Sequence, residues 1–379
     1  MESERNHPQF SKIKTRKADQ IPGLLPEEIV EEILSRLPVK SLLKFRCVSR
    51  SWCSLIGSKE FIKTHLEKST KNTNFTHHRL VLNFFPPNNT LKHCSLQSLL
   101  DEPVADAFAF DSPMYNPDDS IRVVGCCNGL ICILIGRKRF FLWNPSTRMS
   151  KKLPDIDDKL KHGDITKFGF GFDDSGDYKV FAVLSVFWIT GKYQSTENVY
   201  SLKTNSWRRI KDRDGGGSFN EGGKFVNGRL HWGVKLFRDL RWDIVSFDLE
   251  REVYGVVEQP SYPQGGFKRS LGVLDGCLCV LCDYCGNSLD VWLLKEYGTR
   301  ESWSKVLTIP YPRHAWAGPF STPLCIRPEG AILVVNGFIW VVYCPKDNGF
   351  STARIVNFDE IRGADMFIES LVSLVSDGE

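Results

Sequence analysis

Residues 25–38 read Leu25-Pro26-Glu27-Glu28-Ile29-Val30-Glu31-Glu32-Ile33-Leu34-Ser35-Arg36-Leu37-Pro38. Pro26 suits the first turn of a helix, where a missing N–H leaves no hydrogen bond unmade. Glu27 and Glu28 follow at the positive end of the helix dipole. Ile29, Ile33 and Leu37 then recur at helical spacing with Val30 and Leu34 beside them, and Glu31, Glu32, Ser35 and Arg36 cover the opposite face. Pro38 stops the helix. A second apolar set, Leu42, Leu43, Phe45, Val48, Trp52, Leu55 and Ile56, calls for one or two more short helices, and Phe61, Ile62 and Leu66 finish the last of them. So small a helical unit cannot bury this much Leu, Ile and Trp by itself. Its apolar face needs a partner, either another protein or the rest of the chain.

The chain has 379 residues, 42% of them hydrophobic, enough for one small and one large domain. A net charge of +4 is mild, and the basic residues are scattered, so no nucleic-acid partner is expected. The exception is Lys12, Lys14, Arg16 and Lys17 in a polar leader, residues 1–21, which reads as disordered and also admits a weak nuclear signal. The longest apolar run, Ala331 to Cys344, is broken by Asn336-Gly337 and is too short to span a membrane. The N-terminus lacks a signal peptide's apolar core, so twelve cysteines read as reduced thiols in the cytoplasm or nucleus.

After about residue 70 the periodicity changes. A turn centred on glycine and followed by an apolar strand recurs at Asn128-Gly129, Ser175-Gly176, Asn227-Gly228, Asp275-Gly276 and Asn336-Gly337, in steps of 47, 52, 48 and 61 residues. Asn-Gly and Asp-Gly supply the positive φ angles of tight hairpins. A period near fifty is what a four-stranded propeller blade needs. Between these turns lie strand–turn–strand units such as Phe140 to Thr147, Val199 to Trp207 and Val245 to Leu249. In the last, Val245, Phe247 and Leu249 alternate with Ser246 and Asp248. Five to seven blades fit the length.

The order Leu-Pro, apolar stripe, Leu-Pro, then Arg46-Cys47-Val48-Ser49-Arg50-Ser51-Trp52 resembles an F-box. Cys126 to Cys132, Leu142-Trp143-Asn144-Pro145-Ser146-Thr147, Gly169-Phe170-Gly171-Phe172-Asp173, Asp290-Val291-Trp292 with Lys295 to Gly298, and the tail Ala364 to Val372 are similar to the F-box-associated, kelch-like domain of plant proteins. The double-glycine signature of true kelch blades is absent apart from Gly222-Gly223 and Gly265-Gly266. The resemblance implies an α+β multidomain protein, with a small N-terminal α-helical F-box (22–66), a linker (67–76) and an all-β, propeller-like receptor domain (77–375). It further implies that the hook docks on a Skp-type adaptor, and through it a cullin–RING ubiquitin ligase, by way of Leu25, Pro26, Ile29, Val30, Leu42 and Leu43. Trp52 would belong to the hook's own core.

Other constellations read as structure. Cys282-Asp-Tyr-Cys285 has zinc-ligand spacing, but Cys277 and Cys279 alternate with Leu278, Val280 and Leu281 as in a strand, and no second ligand pair lies nearby. Asp173-Asp174-Ser175-Gly176-Asp177 hints at a calcium loop, yet it lacks the bidentate glutamate and flanking helices. Gly215-Gly216-Gly217 is followed by no Lys-Ser/Thr, so it is no phosphate loop. No nucleophile elbow or His-Glu-x-x-His occurs. No metal, cofactor or catalytic residue is therefore expected. Trp188, Trp232, Trp242 and Trp316, with Arg238, Arg241 and Arg313, are the candidate target-binding residues, because aromatic and arginine side chains anchor interfaces; for each one, packing in the core is the competing role. The resulting expectation is a non-catalytic substrate-recognition subunit that brings a protein target to a ubiquitin ligase. An adaptor-bound scaffold without degradation and a glycan-binding receptor are the alternatives.

Overall fold

The computed structural model describes residues 25–84, 90–110, 119–156, 164–187, 193–210, 218–219, 222–235, 242–262, 267–284, 287–311, 323–336, 339–357 and 361–374. Four helices come first. In α1 (Glu27–Leu34) the Pro26 carbonyl accepts from the amides of Ile29 and Val30 at 3.0 and 3.1 Å. Pro38 opens α2 (Val39–Phe45) in the same way, so it starts the second helix, while α1 already ends at Leu34. The side-chain oxygens of Ser49 and Ser58 cap α3 (Arg50–Gly57) and α4 (Lys59–Thr70), accepting from the amides of Trp52 and Phe61 at 3.1 and 3.2 Å. Leu34, Val39, Leu42, Ile56 and Phe61 form the core of this hook, each no more than 1% exposed.

The sixth member of that core is Leu371, from the far end of the sequence. The hook is therefore closed by the tail of the second domain. Other bonds brace the hook and its junction with the ring. His65 Nε2 donates to the Leu37 carbonyl at 2.8 Å, and its ring meets that of His77 edge-on at 5.7 Å. Lys68 donates to Ser35 Oγ at 2.7 Å and pairs with Glu32. The stretch read as a linker, 67–76, contains the last turn of α4 and then a turn in which the Phe75 amide donates to Asn72 O at 3.1 Å.

The second domain is a ring of six sheets. Blade 1 pairs Ile361–Ile368 with His78–Phe84, Leu91–Ser95 and Phe108–Ala109. Blade 2 comprises Ile121–Cys127, Leu130–Ile135, Arg139–Asn144 and Met149–Lys152. Blade 3 holds Asp164–Phe172, Tyr178–Phe187, Tyr193–Ser201 and Ser206–Arg209. Blade 4 has Lys224–Val226, Arg229–Lys235, Trp242–Asp248 and Tyr254–Val257, with Ser218–Phe219 beside its second strand. Blade 5 contains Lys268–Leu274, Cys277–Asp283, Ser288–Leu294 and Trp303–Pro310. Blade 6 is Cys325–Ile326, Ile332–Asn336, Ile339–Cys344 and Gly349–Val356. Strands alternate their side chains between the two neighbouring blades. Leu130, Cys132 and Leu134 pack toward blade 3, and Ile131, Ile133 and Ile135 toward blade 1, which is why the run is apolar throughout.

The ring is closed twice at one seam. The C-terminal strand Ile361–Ile368 supplies blade 1 with its first strand, antiparallel to His78–Phe84 with His78 opposite Ile368. Closing the ring in this way leaves no strand edge there. In return, Val104–Asp106 leaves blade 1 and adds a parallel fifth strand to blade 6, with Ile355 opposite Ala105. The tail then crosses to blade 2, where Asn144 Nδ2 donates to the carbonyls of Ser370 and Val372 at 3.1 and 2.8 Å. Ser370 Oγ donates to Asn128 O at 2.8 Å. Gly129 is fixed on two counts: its φ is +81°, and a Cβ there would stand 2.1 Å from Ser370 Oγ.

The hairpin turns between first and second strands lie at the hook end of the ring. Asn128, Asn227 and Asp275 adopt φ of 50–51°, followed by Gly129, Gly228 and Gly276 at 70–81°. The turn read at Asn336-Gly337 belongs elsewhere, between the second and third strands of blade 6. The true equivalent is Gly330, φ +93°, whose amide donates to Arg327 O at 2.8 Å just as Gly176 donates to Asp173 O at 2.9 Å. With Gly330 in place the last step of the repeat is 54 residues, in line with the others.

Candidate functional site

α1 carries apolar residues over too wide an arc to bury them all. Val30, Leu34 and Leu37 turn inward. Ile29 and Ile33, four residues apart, stay 47% and 48% exposed, with Leu25 57% exposed next to them. Val48, in the turn between α2 and α3, is 61% exposed. Of the residues expected to meet an adaptor, Leu25, Pro26 and Ile29 are therefore on the surface, and Val30 and Leu43 are half-buried. Leu42 is not available. It is 0% exposed in the hook core, because it faces Ile56 and Phe61 across the three-helix packing. Ile33 and Val48 join the surface set without having been expected there; Ile33 lies on the stripe of Ile29, which was the usable signal. Trp52 packs edge-on against Phe45 at 5.7 Å and is half-buried, as a hook-core residue should be.

The opposite end of the ring gathers the turns between second and third strands and the connections between blades. Trp188, Arg238, Arg241, Arg313 and Trp316 all fall in such connections and outside the described residues. Trp232 and Trp242 are described, and neither is a surface anchor. Trp232 is 0% exposed, 5.0 Å from the Phe181 ring between blades 3 and 4. Trp242, 9% exposed, packs between blades 4 and 5, over Gly233. On this face a cleft of about 430 Å3 opens between blades 2 and 3, where Arg122 donates to Ile165 O at 3.1 Å and Arg137 pairs with Asp164 at 3.3 Å.

The cysteine and aspartate constellations have structural partners. Cys279 faces blade 6 and Cys282 faces blade 4, on opposite sides of one strand, so the two cannot share an ion; Cys285 lies outside the described residues. Burial pushes the Cys282 thiol up to about 12. Asp173 accepts from Ser175 Oγ at 2.6 Å and from the Asp177 amide at 3.0 Å, and pairs with Lys179 at 3.0 Å. Asp177 accepts from Ser201 Oγ at 2.5 Å and from the Lys203 amide at 2.9 Å. The carboxylates of Asp173 and Asp177 are thus engaged by protein groups. Lys179 also donates to Leu249 O at 2.5 Å and pairs with Glu252 at 3.4 Å, which ties blade 3 to blade 4.

A hook of this build on a six-bladed ring is matched by two family models: the F-box domain over residues 23–64, and the F-box associated beta propeller domain over residues 78–350. The protein belongs to the F-box associated beta propeller family of F-box proteins. Among relatives, the F-box/kelch-repeat protein At3g23880 of Arabidopsis thaliana is 33% identical over 302 residues, covering 76% of this chain and 80% of that one. F-box protein CPR1 of Arabidopsis thaliana is 30% identical over 380 residues, covering 92% and 88%. Among solved structures, TolB from Acinetobacter baumannii aligns with a TM-score of 0.49 at 11% identity, over 82% of this chain and 73% of that one. The F-box protein's family motifs sit at its seams. Asn128-Gly129 and Asn144 hold the tail, and the Ser370 they bind is 0% exposed.

Proposed function

We propose that this F-box protein is a non-catalytic substrate-recognition subunit of an SCF-type ubiquitin ligase, acting in the cytoplasm, the nucleus or both. The observation that carries the reading is the exposed apolar row Leu25, Ile29 and Ile33 on α1, with Val48 also exposed, on a hook that is otherwise tightly packed. Monomeric proteins seldom leave such a row uncovered, and a Skp-type adaptor is the partner an F-box is built to meet. The loop end of the ring, on the other side, would take the protein target.

The mechanism is proximity. Holding a target lysine close to a charged ubiquitin carrier raises its effective concentration, and the receptor makes and breaks no bond itself. The shared core through Leu371 supports this, because a fixed angle between hook and ring keeps the target in one place relative to the ligase. The test is target turnover. Partners captured by the full-length protein should live longer in cells when Ile29→Asp replaces the native protein, and proteasome inhibition should lengthen their half-lives in the same way in cells that hold the native protein. Unchanged half-lives for every bound partner would replace this reading with that of a scaffold.

A further inference from the structure

Between blades 4 and 5, at the loop end of the ring, Arg269 is surrounded by aromatic rings. Its guanidinium lies 4.4 Å from the ring centre of Phe267, 4.8 Å from that of Tyr262 and 5.9 Å from that of Trp242. Tyr262 in turn meets Trp292 edge-on at 6.0 Å. Stacking on rings favours a cation but satisfies no N–H. Among the described residues, Arg269 Nε is buried with no hydrogen-bond partner, and so are Tyr262 Oη and Trp292 Nε1. Asp290, in register with Arg269 through Cys282, is committed elsewhere: it accepts from Thr308 Oγ1 at 2.6 Å and pairs with Lys305 at 3.4 Å. Burial pushes the Tyr262 hydroxyl up, so it stays a donor.

Three buried donors, one of them on a cation, thus belong to one aromatic cluster without a hydrogen-bond partner among the described residues, on side chains that are themselves half-exposed. A buried guanidinium N–H without an acceptor is a costly state, and a carboxylate relieves it with two oxygens and about four lone-pair sites. We propose that the Arg269 cluster is where the ring reads its target, by accepting a peptide carboxylate between Arg269, Tyr262 and Trp292. This rests on the substrate-receptor reading and adds the chemistry of the target to it. The carboxylate is supplied by an Asp or Glu side chain or by the free C-terminus of the target.

The probe is a random peptide library, made once with free C-termini and once amidated, presented to the purified full-length protein in complex with a Skp-type adaptor. Wild type should select peptides with an acidic residue at one fixed position if a side chain is read, or only free-acid peptides if a terminus is read. Arg269→Gln should lose that selection and bind a selected peptide at least about tenfold more weakly, since charge-assisted bonds are the strong ones. Tyr262→Phe removes one hydroxyl without disturbing the packing and should weaken the same peptide severalfold. Adaptor binding and melting temperature should stay at wild-type values for Tyr262→Phe. Peptides bound without a carboxylate requirement, or one undiminished in Arg269→Gln, would overturn the cluster while leaving the receptor reading standing. A wild-type protein that binds adaptor but no peptide above a scrambled background would overturn both.

Discussion

Leu371 offers a direct probe of how the two domains are joined. Its side chain, 8% exposed, closes the hook core against Leu34, Val39, Leu42, Ile56 and Phe61 although it belongs to the ring's tail. Leu→Ala in a core costs about 2–5 kcal/mol, and a residue at the margin of its cluster falls near the lower end, about 2 kcal/mol. That is a large share of the margin by which a small helical unit stays folded. If the tail holds the hook, the loss appears as easier local opening of residues 30–66, with amide exchange there about thirtyfold faster at about 2 kcal/mol. Exchange in blades 3 to 5 should not change. Ile33→Ala is the control: with the side chain 48% exposed, it should leave exchange in the hook within about twofold of wild type. Hook exchange unaffected by Leu371→Ala, with or without a change in blade 1, would show that the contact is incidental and that the domains fold independently.

Other perturbations should divide along the same lines. Ile29→Asp should leave the melting temperature unchanged, whereas Leu42→Asp buries an unpaired carboxylate and should unfold the hook, visible as lost helical circular dichroism. Gly129→Ala meets both a φ of +81° and Ser370, and should lower the ring's urea midpoint more than Gly276→Ala, where φ is +71° and no atom stands within 4 Å of the added Cβ. Burial holds the imidazoles of His65 and His77 below the ordinary value of 6.5, and those of His78 and His231 down to about 4. The unfolded protein takes up these protons first, so stability is fully present above about pH 7 and falls as the pH drops from 6.5 towards 4. Urea titrations across that range should show the midpoint falling, and His78→Gln should flatten the fall.

Much of this architecture could be read from local chemistry. Asn128-Gly129, Asn227-Gly228 and Asp275-Gly276 announce positive φ angles, and their spacing gave the blade period. The same dipeptide chemistry serves any tight hairpin, so Asn336-Gly337 looks like the others in sequence although it follows the second strand of blade 6, and Gly330, preceded by Glu329, carries no such dipeptide. In the hook, periodicity found the helices but not their inner side. Ile29 and Leu42 look equally apolar in sequence, and only the packing of α2 against α3 and α4 separates an exposed residue from a buried one. Leu371 entering that core joins positions far apart in the sequence and has no local signature. The Arg269 cluster is invisible for the same reason, because Trp242, Tyr262, Phe267 and Trp292 converge only once blades 4 and 5 are side by side. Tryptophan and arginine are the residue types of both interface anchors and core packing, and Trp232 and Trp242 take the second role as wedges between blades.

The exposed residues of the hook are where adaptor binding is decided. Purified wild-type protein and Ile29→Asp, shown by melting temperature to be equally folded, should be titrated with a purified Skp-type adaptor in a calorimeter. A one-to-one complex with wild type that is lost or weakened at least about tenfold in Ile29→Asp is the predicted result. No complex with wild type, or one undiminished in Ile29→Asp, would contradict it.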